Sequence, residues 1–147
     1  MSGYDRTINK IRKFNRFYTV SMGFLDLEYL DTGYSIAETR ILFEIKVYEK
    51  CMQSEIAKIL HMDKSYLSRI VKRFYREGLI EKEKSDEDKR ATYISLTEKG
   101  CEETERLIEL TNAQIAAKIN KLSFDECNEL CDAMDTVISI FGRGERI

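Results

Sequence analysis

Residues 53–100 read QSEIAKILHMDKSYLSRIVKRFYREGLIEKEKSDEDKRATYISLTEKG, and the fold turns on this stretch. Within it Asp63 is a good N-cap, and an apolar period runs on to Glu77, where Gly78 supplies a stop. Leu67, Ile70, Val71 and Phe74 recur at i, i+3, i+4 and i+7, so they share one side of a helix. Ser65, Ser68, Arg69, Lys72 and Arg76 gather on the other side, with Lys64 and Arg73 on the flanks. From position 64 to 76 there are five basic residues and no acidic one. A solvated surface helix usually mixes both signs of charge. An unmixed cationic face on an apolar back instead suits a DNA major groove, with the back held in a core.

Upstream, Ile56, Ile59 and Leu60 form an apolar stripe, and Ala57 is small where two helices must approach. His61-Met62-Asp63 is then a three-residue turn of the length used by helix-turn-helix units. Such turns often place Gly at a position of positive φ, and here His61 must take it. The chain's only histidine therefore reads as a turn residue rather than as a metal ligand or catalytic base. Downstream of Gly78 the period changes. Residues 79–84 and 90–96 alternate or carry β-branched and aromatic side chains, with a polar turn at 85–89 between them. A two-stranded ribbon beside such a helix is a wing, and Arg90 lies where a guanidinium enters a narrow minor groove. The wing tip is mixed in charge, since Asp86, Glu87 and Asp88 oppose Lys84, Lys89 and Arg90. A plain solvated hairpin has the same composition.

The flanks read as assembly helices. Ile8, Ile11, Phe14, Phe17, Tyr18 and Leu25 are spaced for one face of an N-terminal helix. Ser35-x-x-Glu38 and Ser123-x-x-Glu126 have capping-box form, and Thr97 caps a long helix carrying Leu107, Ile108, Ile115, Ile119 and Leu122. In the final helix Cys127, Leu130, Cys131, Met134, Val137, Ile138 and Phe141 make a stripe that wants a partner helix. The predicted fold is mainly α with a small β-wing, in one domain over 1–147. A winged helix-turn-helix at 35–100 lies between dimerisation helices at 1–31 and 101–147.

Ser54-Glu55-Ile56-Ala57, then 63–71, then Glu77-Gly78-Leu79-Ile80, then Asp-x-Arg-x5-Leu-Thr-x-x-Gly from Asp88 to Gly100 stand in order at fixed spacing. From about Tyr34 to Gly100 the chain resembles the winged helix-turn-helix of the MarR family of bacterial transcription regulators. The resemblance implies that Arg90 reaches the minor groove and that Asp88 orients it by a charge-assisted hydrogen bond. It also implies a homodimer built from the terminal helices and a small-molecule pocket, for which Phe14, Tyr18 and Tyr34 are candidates. Residues 11–19, with Tyr34-Ser35 and Glu38-Thr39-Arg40, are similar to the regulator half of proteins that fuse this domain to a GNAT-type acetyltransferase. No acetyl-CoA loop of the Gln/Arg-x-x-Gly-x-Gly/Ala kind occurs in the sequence, so transferase activity does not carry over.

Composition bounds the rest. Hydrophobic residues make up 43% and charged residues 34%, a globular balance. No run approaches a membrane span, no signal-like segment is present, and four cysteines without one imply reduced thiols in a cytoplasm. Net charge is −2, yet residues 51–100 carry 11 basic and 9 acidic groups while 101–147 carry 5 and 10. Acidity is thus concentrated away from the cationic helix, and local field rather than net charge steers binding. Cys127 and Cys131, four apart on one helix, are too far apart for an easy mutual bond and read as ordinary buried thiols within the apolar stripe. The peroxide-sensing branch of the family uses a cysteine in the N-terminal helix, and none precedes Cys51 here. With no Gly-rich phosphate loop, no His-Glu-x-x-His and no histidine cluster, neither an enzyme nor a metal or other cofactor is implied.

The expected function is therefore a cytoplasmic, ligand-responsive repressor that binds double-stranded DNA as a homodimer. Ser65, Tyr66, Ser68 and Arg69 are the candidates for base edges, and Lys64, Lys72, Arg73 and Arg76 for phosphates. An interaction adaptor that keeps the winged fold without binding DNA is the alternative.

Overall fold

The computed structural model describes residues 2–25, 29–88 and 90–143. Lys89 of the wing pattern, residues 26–28 of the predicted N-terminal segment and the outermost residues of both terminal segments lie outside them. The chain runs α1 (Gly3–Ser21), a 3-10 turn (Tyr29–Asp31), α2 (Ile36–Tyr48), β1 (Cys51–Met52) and α3 (Gln53–Ile59). It continues through α4 (Lys64–Arg76), β2 (Ile80–Lys84), β3 (Thr92–Leu96), α5 (Glu98–Ile119) and α6 (Phe124–Phe141). The architecture is mostly helical with one small antiparallel sheet, as the sequence implies.

The sheet has the order β1-β3-β2. Its hairpin pairs Ile80 with Leu96, Lys82 with Ile94 and Lys84 with Thr92. The two-residue β1 pairs Cys51 with Ile94, a third strand too short to leave a period in the sequence. Only Ile80 of β2 is buried, while Ile94 of β3 stays in the core, so the hairpin leaves the core beyond the Lys82–Ile94 pair and projects as a wing.

Four elements close on one another. Leu67, Ile70, Val71 and Phe74 of α4 are all buried, and they meet Ile41, Leu42 and Ile45 of α2, Ile56 and Ala57 of α3, and Leu107 of α5. Ala57 is 5% exposed, in keeping with a small residue at the α3–α4 approach. Ile59, expected in the same stripe, is 39% exposed and lies outside the core cluster that takes in Ile56 and Ala57.

The wing signature has a direct physical basis. Thr97 Oγ1 accepts from the Gly100 amide at 3.0 Å and so caps α5, while its own proton goes to the Gly78 carbonyl at 2.5 Å. A Cβ on Gly100 would run into the Leu79 carbonyl. Threonine and glycine at this spacing therefore fasten the end of the wing to the end of α4. Lys99 Nζ adds a 2.8 Å bond to the Glu77 carbonyl, a cation at the C-terminus of α4.

The outer helices differ. None of the residues of α1 or α6 is buried. Helix α1 ends at Ser21, capped by Met22, so Leu25 is not on its face and stands 73% exposed in the turn beyond. Gln114 of α5 holds this turn through a 3.2 Å bond from Nε2 to the Met22 carbonyl.

Candidate nucleic-acid interface

Asp63 N-caps α4, its Oδ2 accepting from the Tyr66 amide at 2.9 Å. Ahead of it His61 adopts φ +48, the left-handed conformation that the turn requires. The Met62 amide closes that turn on the Ala57 carbonyl at 2.9 Å. Gly78 at φ +76 ends the helix, and the Leu79 amide returns to the Phe74 carbonyl at 2.9 Å.

With the apolar side buried, the opposite side stands in solvent. Lys64, Ser65, Tyr66, Arg69, Lys72 and Arg76 are exposed, and Ser68 is half-buried at the edge of the face. The Arg69 guanidinium lies 5.8 Å from the centroid of the Tyr66 ring, one turn earlier, a contact that limits its swing. Tyr75 leans the other way, its ring 4.8 Å from Lys82 Nζ on the wing.

Arg73 behaves differently from the other candidates. Its Nη2 donates to Glu38 of α2 in a short ion pair, and its Nε lies 3.5 Å from Glu77 Oε1. The Glu38 bond is the main reason that its pKa is raised. Glu38, expected to complete a capping box, turns its carboxylate to Arg73, while Ser35 alone caps α2 with a 3.2 Å bond from the Glu38 amide. Nothing local in the sequence joins residues 35 positions apart.

The wing turn is built on its own polar side chains. Ser85 Oγ accepts from the amides of Glu87 and Asp88, both at 3.3 Å. Asp88 Oδ1 accepts from the backbone N–H of Arg90 at 3.0 Å. Asp88 thus fixes the Arg90 main chain, where the resemblance implied a bond to its guanidinium. Arg90 is exposed and, with Asp88, Met52, Gln53 and Lys82, lines a groove of about 510 Å³ between the wing and the start of α3.

The three expected pocket residues do not meet. Phe14 and Tyr18 stack on each other with centroids 5.3 Å apart, and Phe24 meets Tyr18 edge-on at 5.7 Å. Tyr34 instead packs its ring edge against Phe74 at 6.3 Å. It lines an open pocket of about 350 Å³ with Thr32, Gly33, Arg73, Glu77 and Glu103. Burial, then the neighbouring Glu103 and Glu77, push the Tyr34 hydroxyl's pKa up. Arg106 donates to Glu103 at 2.5 Å and holds that carboxyl below its usual range. Sequence periods missed Glu38 because it pairs across elements, whereas Glu77 and Glu103 pair along their own helices, with Arg73 and Arg106, and come together at this pocket only through the fold.

Comparison with known proteins agrees with this geometry. The model of the MarR family matches residues 34–92, which cover α2 to the start of β3. The organic hydroperoxide resistance transcriptional regulator of Bacillus subtilis (strain 168) is 28% identical over 91 residues, 62% of this chain. That match spans 60% of the relative's own length. Among solved structures, a mutant MarR from E. coli complexed with operator DNA superposes with a TM-score of 0.72 at 21% identity. It covers 94% of this chain and 99% of that one. The organohalide-sensing RdhR-CbdbA1625 regulator in its 2,4-dichlorophenol-bound form gives 0.66 at 17% identity, covering 95% and 85%. At these identities the structural likeness establishes the fold.

Proposed function

We propose that this chain, whose residues 34–92 carry the winged helix of the MarR family, is a sequence-specific regulator of transcription that binds double-stranded DNA as a homodimer. The carrying observation is α4: its apolar side is sealed in the core, while Lys64, Ser65, Tyr66, Arg69, Lys72 and Arg76 are exposed to solvent. Ser65, Tyr66, Ser68 and Arg69 near the helix N-terminus read base edges, and Lys64, Lys72 and Arg76 hold phosphates. Arg90 follows the minor groove from the wing.

Two further features belong to this reading. The bare apolar sides of α1 and α6 supply the homodimer contact, so that two α4 helices enter successive major grooves about 34 Å apart on a pseudo-palindromic site. The pocket beside Tyr34 lies against α4 and is the seat of a small-molecule effector that relieves repression. A bound chlorophenol in the RdhR-CbdbA1625 relative supports the idea that this fold takes such ligands. The likeness of residues 11–19 to GNAT-fused regulators reflects shared ancestry of the module.

Selection of binding sites from random duplexes tests the proposal. The expected product is a two-fold site whose half-sites are about one helical turn apart. A protein that forms dimers yet enriches no sequence at low salt would instead be the interaction adaptor.

A further inference from the structure

We infer that Arg73 is not a DNA contact but a positioning residue, clamping α4 to α2 through Glu38 and so setting the attitude at which α4 meets the groove. The inference rests on the DNA-binding reading above and reverses the role that position on the helix alone suggests for Arg73. Five cations lie on α4, and four of them make no ion pair among the described residues; Arg73 alone makes two, to Glu38 and Glu77.

Burial decides between the two roles. The Glu38 side chain is 15% exposed and Arg73 is its ion-pair partner among the described residues. Swinging Arg73 out to a phosphate would strand that carboxylate half-buried and unpaired, a larger loss than that of an ordinary surface pair. The guanidinium is also held from other sides. It lies 5.4 Å from the centroid of the Phe74 ring, and its Nε is buried 3.5 Å from Glu77 Oε1, an ion-pair contact without a hydrogen bond. Helix α2 in turn is tied outward to α5 by Lys46 and Glu105 at 3.0 Å. A line of ion pairs therefore runs from the recognition surface through α2 to the helix that leads into α6.

The two roles give opposite signs for one substitution. If Arg73 met phosphate, Glu38→Gln would free it and tighten binding. As a clamp, Glu38→Gln loosens α4 and weakens binding although every cation that meets phosphate is still present. The experiment measures affinity for the selected duplex across a salt series, for wild type, Glu38→Gln, Arg73→Gln and the exchanged pair Glu38→Arg with Arg73→Glu. Each single variant is expected to bind about 2- to 30-fold more weakly. Both keep the wild-type salt slope, and the exchanged pair recovers most of the loss. Binding by Glu38→Gln as tight as wild type, or an Arg73→Gln slope shallower by about one unit, overturns the clamp. Hydrogen exchange on the free protein reads the clamp without DNA. Amides of residues 64–76 should exchange faster in both single variants, and wild-type rates in both would sink the inference. Should selection recover no duplex, the DNA-binding reading fails while the exchange rates still decide the clamp.

Discussion

Helices α4 and α6 carry nearly the same apolar pattern and meet opposite fates. In α4 the stripe of Leu67, Ile70, Val71 and Phe74 is between 0% and 6% exposed. In α6 the stripe of Leu130, Met134, Val137, Ile138 and Phe141 is between 42% and 63% exposed. A period of 3.6 shows that a helix needs something to pack on, not whether that partner lies in the same chain. For α4 it does, because α2, α3 and the sheet surround it. The partner proposed for α6 is a second copy, since so large an exposed apolar surface is unusual on a lone chain.

Phe74→Ala tests the first half of this contrast and has the largest expected effect on the fold. Its ring is fully buried, so the substitution should cost about 3–5 kcal/mol, a major part of a domain's total stability. Phe141→Ala, at a site 63% exposed in the single chain, should shift monomer stability by less than about 0.5 kcal/mol. Denaturant midpoints measured at concentrations too low for association compare the two. Equal losses would erase the distinction between the helices.

The second half is tested by putting charge on α6. Leu130→Asp with Ile138→Asp should leave the helical circular dichroism intact while the particle falls from dimer to monomer in light scattering. Site affinity should then drop by about 100-fold or more, because the two half-sites no longer act together. A double variant that remains dimeric would move the proposed interface elsewhere.

What could be read from the sequence divides along the same line. The α4 stripe, the Asp63 cap, the Gly78 stop, the strained His61 turn and the Thr97 cap are written within a few residues of where they act, and each stands where the pattern put it. Contacts that join distant elements left no such trace. The Glu38–Arg73 pair, the acidic lining of the Tyr34 pocket and the short β1 all arise from chain segments brought together by folding. Leu25 and Ile59 failed for a related reason: spacing extends a helical face without marking where the helix ends or which side is covered. Cys127 and Cys131 were expected to be buried in an apolar stripe, but within one chain that stripe is open, so Cys127 is only half-buried and Cys131 is exposed.

On the groove side, two arginines should separate by the kind of loss they cause. Arg69→Ala is expected to weaken the selected site by about 1–3 kcal/mol and to relax preference at one base position. A loss equal on all sequences would make Arg69 a phosphate contact. Arg90→Ala should give the smaller change, lowering affinity on every duplex and making the salt dependence shallower by about one unit. An unchanged slope would remove the wing from the interface.

The smallest effect is kinetic and lies in the thiols. Cys51 is 3% exposed, and burial, with Glu55 and Glu44 nearby, pushes its thiol up to about 11. Because the thiolate is the reactive form, native Cys51 should resist alkylation at pH 8. Its folded pKa lies above the unfolded value, so its contribution to stability is complete below about pH 8.5 and is lost as pH rises towards 11. Cys51→Val should therefore flatten the fall of the denaturation midpoint across that window, and an identical fall in both proteins would remove Cys51 as a cause. Cys131 on the open face of α6 is the internal reference. If a second copy covers that face, Cys131 should label slowly in concentrated protein and faster on dilution or in the Leu130→Asp, Ile138→Asp variant. Cys51 should label slowly throughout, since the same core that buries α4 encloses it. A Cys131 rate that ignores concentration would mean that α6 keeps its apolar face bare in the dimer.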